Sequence, residues 1–289
     1  MKLGLALGGG GAKGIAHIGV LRVLEEARLP IHAIAGTSAG SLVGALYAAG
    51  KSSHDLEQMI RRTDLRHWLA RDTTGMGIFS PDGFRRIIEN EIGATTRIED
   101  LPIKYAAVAV EMESQQEVVF DSGLVTDAVC ASCAFPVLLA PAQIGERHYL
   151  DGGILNPVPF DVVRRLGTDC VLAVDLAADE PVFTAHPALH KRAALLFRLI
   201  FSAEQQKILR VGARAIGIMT QPARKLKLQQ APPDLIIYPD VHQIGLIDID
   251  LVDLSLAAGE RAMRNALPEL QRLLHPTWGQ RLKKWWRRK

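Results

Sequence analysis

Short apolar runs alternate along this chain with longer stretches of helical period, the pattern of a parallel or mixed sheet covered by helices. Residues 2-KLGLAL-7 predict a buried strand, and 15-IAHIGVLRVLEEA-27 a helix with Arg22, Glu25 and Glu26 on its wet side. A second strand, 31-IHAIAG-36, follows Pro30. Next, 38-SAGSLVGALYAAG-50 predicts a closely packed helix of small residues ending at Gly50, which suits a left-handed cap. Residues 51 to 100 are mostly helical in pattern, with a Gly/Pro-rich break at 75-GMGIFSPDG-83 placed to form a mobile segment over a site. Strands resume at 105-YAAVAVEM-112, 116-QEVVF-120 and 147-RHYL-150, the last running into 151-DGG-153. A strand at 170-CVLAVDL-176, helical material to about residue 217, a strand at 234-DLIIYPDV-241 and a final helix from about Asp253 to a stop near Pro268 complete the pattern. With no internal repeat and no long linker, the economical reading is one α/β domain with helical additions.

Composition narrows the class. The chain has 289 residues, 48% hydrophobic and 22% charged, which is the balance of a folded globule. Its net charge of +3 is unevenly distributed: the last nine residues, RLKKWWRRK, hold six of the 34 basic groups and no acid, so the rest of the chain is mildly acidic. That asymmetry argues against a nucleic-acid-binding body and makes the tail the electrostatic handle. Three cysteines, Cys130, Cys133 and Cys170, are too few and too odd in number for a disulfide framework and point to a reducing compartment. Cys130-Ala-Ser-Cys133 has CxxC spacing, but it lacks a second pair for zinc and lies in an apolar run, so both thiols are expected to pack as small hydrophobes. The start superficially resembles a signal peptide, yet four glycines and Lys13 interrupt its apolar run. No window has the length and freedom from charge of a membrane span. A cytoplasmic protein, peripheral at most to the inner face of the cell membrane, is the expectation.

Two glycine-rich elements each sit between a predicted strand and a helix. The first, 8-GGGGAKG-14, contains G-x-G-x-x-G at Gly9, Gly11 and Gly14. A dinucleotide site would want an acid at the end of the second strand, where Gly36-Thr37-Ser38 stands instead. A P-loop would want Ser or Thr after Lys13, where Gly14 stands. What remains is a loop whose N–H groups converge on a negative oxygen at the positive end of a helix. The second element, 36-GTSAG-40, is a G-x-S-x-G at a strand-to-helix turn. A nucleophilic serine needs such a tight turn to expose its hydroxyl, and Gly36 and Gly40 let neighbouring backbone pass. Ser38 therefore reads as a nucleophile, one strand and helix after the glycine loop, at the end of the sheet where such folds place ligands.

A serine needs a base. Asp151 ends a predicted strand and is followed by Gly152 and Gly153. From the residues alone it reads equally as a base and as the Asp-Gly turn of a hairpin. A histidine base would come from His186, His190, His242 or His275, none of them in a glycine-rich or strand-terminal setting. His17 lies on an apolar helix and reads as a packed core residue.

The run GGGGAKG…AHIGVLRVLEE…IAGTSAGSLVGALYAAG, followed by ASCAFPVLLAPA and DGG, resembles the patatin-like phospholipase family, in the bacterial branch similar to the catalytic domain of neuropathy target esterase. The likeness covers about residues 3 to 170 and, more loosely, extends to about 260, with 135-FPVLLAP-141 departing from the family's usual stretch along the acyl path. It implies a three-layer α/β/α fold with a mostly parallel sheet, as a catalytic core over 3–170 and a continuation of the same domain over 171–262; a basic, Trp-rich amphipathic tail over 263–289 lies outside the likeness. It further implies a Ser-Asp dyad without histidine, Ser38 as nucleophile and Asp151 as general base. Gly9, Gly10, Gly11 and Gly14 would shape an oxyanion hole. Lys13 would support the loop, as would Gly36, Gly40, Gly152 and Gly153 their own turns. The implied reaction is hydrolysis of phospholipid or lysophospholipid esters with no metal or organic cofactor. A patatin-like regulatory or scaffolding protein with little turnover is the alternative, and a nucleotide-dependent oxidoreductase a distant third.

The tail agrees with a lipid substrate. Leu274, Trp278, Leu282 and Trp286 recur every four residues beside Trp285, among Arg281, Lys283, Lys284, Arg287, Arg288 and Lys289. A helix of that pattern would lie at an anionic membrane surface, although Pro276 and Gly279 weaken it.

Overall fold

In the central strands alternate residues face opposite layers, and the chain fills the two layers with side chains of different size. Leu3, Leu5, Leu7, Ile34, Tyr105, Leu172 and Val174 face one layer, while Ala6, Ala33, Ala35, Ala106, Val108, Val171 and Ala173 face the other. The result, in a computed structural model that describes residues 1–63, 70–136, 138–176, 202–246 and 248–275, is a mixed sheet with helices on both sides. The expected α/β/α class is the observed one.

The sheet runs in the order β10-β9-β1-β2-β5-β8-β7, with β6 also on β5. Here β1 is Leu3–Leu7, β2 Ile31–Thr37, β5 Lys104–Glu111, β6 Gln116–Phe120, β7 Ala142–Ile144, β8 Arg147–Asp151, β9 Cys170–Val174 and β10 Leu235–Ile237. A two-residue pair, β3 (Ala70–Arg71) and β4 (Phe79–Ser80), stands apart. From β10 to β5 all neighbours are parallel, whereas β6, β7 and β8 run antiparallel to theirs.

One detail of register builds the site. β2 pairs with the first half of β5, ending with Thr37 opposite Val108, and β8 pairs with the second half, ending with Asp151 opposite Ala109. β6 covers Ala107–Glu111 and so occupies the other edge of β5. β2 and β8 therefore share one edge and approach each other with their C-terminal ends. Only a glycine fits where they meet: a Cβ on Gly152 would lie 2.2 Å from the Val108 carbonyl oxygen.

The large-residue layer is closed by α1 (Ala16–Glu26), α2 (Ala39–Ala48), α3 (Ser53–Arg62), α4 (Asp82–Ile92) and a final helix, which we label α8 (Val252–Leu274). α5 (Val125–Cys133) packs behind β5 and β8. The alanine-rich layer is thinner and receives Phe160, Val162 and Val163 of α6 (Phe160–Arg165) and Leu228 of the long helix α7 (Ala203–Gln230). No helix among the described residues is long and apolar enough to cross a membrane.

The expected stop near Pro268 does not occur, because α8 continues to Leu274. Pro268 and Arg264, whose carbonyl loses its amide partner, are both exposed, so water can satisfy that carbonyl. Beyond the proline Leu270 and Leu274 are buried in the main core and hold the last turns down. The boundary drawn at 262/263 thus falls inside a continuous helix, and Leu274, expected to open the tail stripe, is a core residue. Residues 276–289 lie outside the described residues. β10 is also shorter than the 234–241 segment from which it was expected, spanning Leu235–Ile237.

α8 crosses α1 at two glycines. A Cβ on Gly259 would lie 1.9 Å from the Ala16 carbonyl oxygen, and one on Gly19 2.2 Å from that of Leu256. Gly259→Ala should therefore force the helices apart and destabilise the fold by about 1–3 kcal/mol, read as a lower urea midpoint at unchanged slope. An unshifted midpoint would show that the helices separate freely.

Candidate active site

Ser38 sits between β2 and α2 with φ 52° and ψ −124°, a strained conformation for a residue with a Cβ. Backbone hydrogen bonds hold it. Its N–H donates to Ser132 Oγ at 2.9 Å, and its carbonyl accepts from Ser41 N–H at 2.8 Å and Ser41 Oγ at 2.7 Å. The turn stays tight because Gly40 has no side chain: a Cβ there would lie 2.2 Å from the Leu7 carbonyl oxygen. Gly36, two residues before Ser38, is still part of β2.

The glycine loop joins β1 to a short 3-10 turn, Gly11–Ile15, that leads into α1. It abuts the serine, since a Cβ on Gly9 would lie 3.3 Å from Ser38 Cβ. Gly8 N–H donates to Val174 O and Gly9 N–H to Pro157 O, each at 3.0 Å. Of the four glycines expected to shape an oxyanion hole, Gly9 therefore has its donor occupied. Gly14 lies inside the 3-10 turn, in close packing with Ala39. Gly10 and Gly11 N–H meet no acceptor among the described residues. The loop is braced from outside by Ala12 N–H on Leu246 O at 2.8 Å. Lys13 is buried beside Gly9, Gly10 and Gly11.

Asp151 ends β8 and is buried. Its Oδ1 accepts Gly153 N–H at 2.7 Å, which fixes the carboxyl plane. Burial pushes the carboxyl up to about 6, against the pull of the Ser38 hydroxyl and the Gly153 N–H toward the charged form. Oδ2 makes no well-aligned hydrogen bond among the described residues. The Ser38 hydroxyl thus comes close enough to favour the carboxylate without lining up on it.

Neither described cavity at Ser38 is lined by a histidine among the described residues. His17 is buried and neutral: burial pushes its ring down to about 4, and Nε2 donates to Gly8 O at 2.8 Å. That agrees with its reading as a core residue, and it also ties α1 to the glycine loop. His242 is exposed and pairs with Asp240, and His275 follows the end of α8. His186 and His190 lie outside the described residues. The three cysteines are free and buried, as expected, and burial pushes Cys130 up to about 12.

Two cavities meet at Ser38. One, of about 120 Å³, is walled by apolar side chains that include Ile18, Leu42, Phe84 and Leu138. The other, of about 110 Å³, holds Gly10, Gly11, Asp151 and Gly153 and is bounded by Ile216, Gly217 and Thr220 of α7. Gly11, Ser38, Phe135 and Leu246 border both. The Gly/Pro-rich segment 75–83, expected over a site, does not itself line the apolar cavity: its Phe79 packs behind Leu138 and Leu139, which do, and Phe84, the residue after it, is the nearest lining position.

The sequence reading missed three supports. Ser132 stands inside an apolar run that gives no local signal, although a buried hydroxyl there requires a partner. Asn156 accepts Thr37 Oγ1 on its carbonyl at 2.8 Å and donates from Nδ2 to Asp161 at 2.9 Å, which braces the residue before Ser38. Leu246, which closes over the glycine loop, carried no local signal.

The profile of the patatin-like phospholipase family matches residues 5–164. An uncharacterised NTE family protein of Mycobacterium tuberculosis is 37% identical over 191 residues, covering 64% of this chain and 52% of its own. A second from the same species is 32% identical over 288 residues, covering 94% of this chain and 48% of its own. Mouse patatin-like phospholipase domain-containing protein 6 is 33% identical over 191 residues, 62% of this chain and 14% of its own. The crystal structure of VipD from Legionella pneumophila shares the fold, with a TM-score of 0.58 at 13% identity over 93% of this chain and 66% of that one. The chain belongs to the patatin-like phospholipase family. It spans about half the length of the mycobacterial relatives.

The raised Asp151 carboxyl has a consequence for stability. Its folded value of about 6 lies above the unfolded one, so stability is lost as pH rises from about 4 through about 6, by on the order of 3 kcal/mol. Asp151→Asn keeps the acceptor for Gly153 and removes this loss. The variant should be more stable than the parent at pH 8 by urea denaturation, with the difference vanishing near pH 4. An equal difference at both values would contradict a strained carboxylate.

Proposed function

We propose that this protein is a serine acyl hydrolase for lipid esters, with phospholipids or lysophospholipids as substrates and Ser38 and Asp151 as a dyad. The observation that carries this reading is the position of Asp151: buried, one oxygen fixed by Gly153, the other lacking an aligned partner in the chamber it shares with Ser38. Family membership supports the same class.

In this reading the acyl chain fills the cavity walled by Ile18, Leu42 and Phe84, and the alcohol portion the chamber that holds Asp151. Ser38 Oγ bonds to the ester carbonyl carbon as its proton passes to Asp151 Oδ2. The carbonyl oxygen becomes an oxyanion that accepts from Gly10 and Gly11 N–H, donors each worth a factor of about 10² to 10³ in comparable sites. The carbon–oxygen bond to the alcohol then breaks, and Asp151 returns its proton to the leaving oxygen. Water repeats the sequence on the acyl-serine, giving its proton to Asp151 and releasing the fatty acid and free Ser38. A carboxyl at about 6 is charged at neutral pH and a stronger base than an ordinary aspartate, which suits both half-reactions. The basic, Trp-rich tail extends the proposal to peripheral contact with the inner face of the cell membrane; its residues 276–289 lie outside the described ones.

Hydrolysis of a short soluble ester and of a lysophospholipid tests the reading. Ser38→Ala should lower kcat/KM by roughly 10³-fold or more on both while leaving the fold intact by circular dichroism. Parent-level turnover in Ser38→Ala, or none in the parent with either substrate, would contradict it, and the second result would favour a regulatory role.

A further inference from the structure

The long helix α7 bounds the Asp151 chamber with one face and presents a different surface with the other. Its inner face carries Ile216, Gly217 and Thr220 toward Ser38 and Asp151. Two inner cations fasten it to the body. Arg224 pairs with the buried Asp175, and Lys227 Nζ donates to Glu117 at 2.7 Å and Asp161 at 3.2 Å. Those anchors fix which side of the helix faces outward.

The outer face is apolar. Of the exposed large apolar side chains among the described residues, five lie on this helix: Ile208, Val211, Ile218, Met219 and Leu226, between 53% and 69% exposed. The other four, Met1, Met76, Met112 and Tyr238, are scattered over separate elements. At helical spacing the five, with Ala215 and Pro222 between them, fall within an arc of about 100°. They form a continuous stripe about 27 Å long. The exposed cations Lys207, Arg214 and Lys225 line one flank of that stripe. The whole helix carries six basic residues and one acid, Glu204, which lies beyond the stripe's end. Exposed apolar surface of this extent calls for a partner, and an apolar stripe with a basic border fits the headgroup boundary of an anionic bilayer.

We propose that α7 is a membrane-docking surface, its stripe seated among the acyl chains of an anionic lipid layer and Lys207, Arg214 and Lys225 on the headgroups. Docking there sets the Asp151 chamber against the layer with one helix between them. The proposal uses the hydrolase reading only for its biological sense, and its test does not depend on turnover.

Co-sedimentation of the full chain with sucrose-loaded vesicles provides that test, comparing phosphatidylcholine alone with an equal mixture of phosphatidylcholine and phosphatidylglycerol. The parent should bind the mixed vesicles and bind phosphatidylcholine far less. Ile218→Ser/Met219→Ser should weaken binding roughly tenfold or more. Lys207→Gln/Arg214→Gln/Lys225→Gln should weaken binding to the mixed vesicles by roughly tenfold to a hundredfold, a difference that high salt erases. Turnover of a soluble ester, where the parent shows it, should be unchanged in both variants, since none of the five residues borders the chamber. Loss of binding in the variants supports the surface even when no ester is turned over, which separates it from the hydrolase reading. Parent-level binding in both variants overturns it, because the contact then lies elsewhere on the chain. So does a parent dimer that Ile218→Ser/Met219→Ser dissociates, because a second copy then covers the stripe.

Discussion

Two strands meeting end to end on one edge of a third is the constraint on which this site depends. Thr37 and Asp151 stand opposite neighbouring residues of β5, Val108 and Ala109, so the backbone ladder itself sets Ser38 beside Asp151. No long loop has to be ordered to bring them together, which spares the entropy that loop ordering costs. The glycines of both motifs serve this meeting. Gly152 lets the chain turn directly over Val108, and Gly40 lets α2 leave β2 against the end of β1.

The same meeting concentrates unfavourable terms. Ser38 is held at a positive φ, and Asp151 is a carboxylate in an apolar surrounding. Each is opposed by a neighbour that packing fixes in turn: Ser132 and Ser41 on the serine, Gly153 on the aspartate, and Asn156 on the residue before the serine. Strain and desolvation persist where surrounding structure over-determines the geometry, and here they fall on the two side chains that a two-residue mechanism would use.

Much of this was legible in the chain. The buried strands at 3–7, 31–37 and 170–174 stand out because parallel strands covered on both faces read as unbroken apolar runs. The two glycine motifs were placed correctly between strand and helix because glycine marks close approach whatever the distant context. What the sequence hid was non-local. Nothing near Asp151 shows that β8 returns antiparallel to the far half of β5, and that pairing turns an Asp-Gly dipeptide into a partner for Ser38. The occupied N–H of Gly9 depends on Pro157, far along the chain. The passage of α8 through Pro268 rests on Leu270 and Leu274 finding the core, where tertiary packing outweighs a local helix breaker.

The pairing of Ser38 with a buried carboxylate is tested most directly by the rate at which a fluorophosphonate labels Ser38, measured from pH 4 to pH 9 by intact-protein mass. If Asp151 is the base, the rate rises about tenfold per pH unit and levels off with a midpoint near 6, as burial of the carboxyl dictates. Asp151→Asn then labels slowly and without that midpoint. A midpoint near 7 that survives Asp151→Asn would instead assign the proton to a histidine and contradict the dyad.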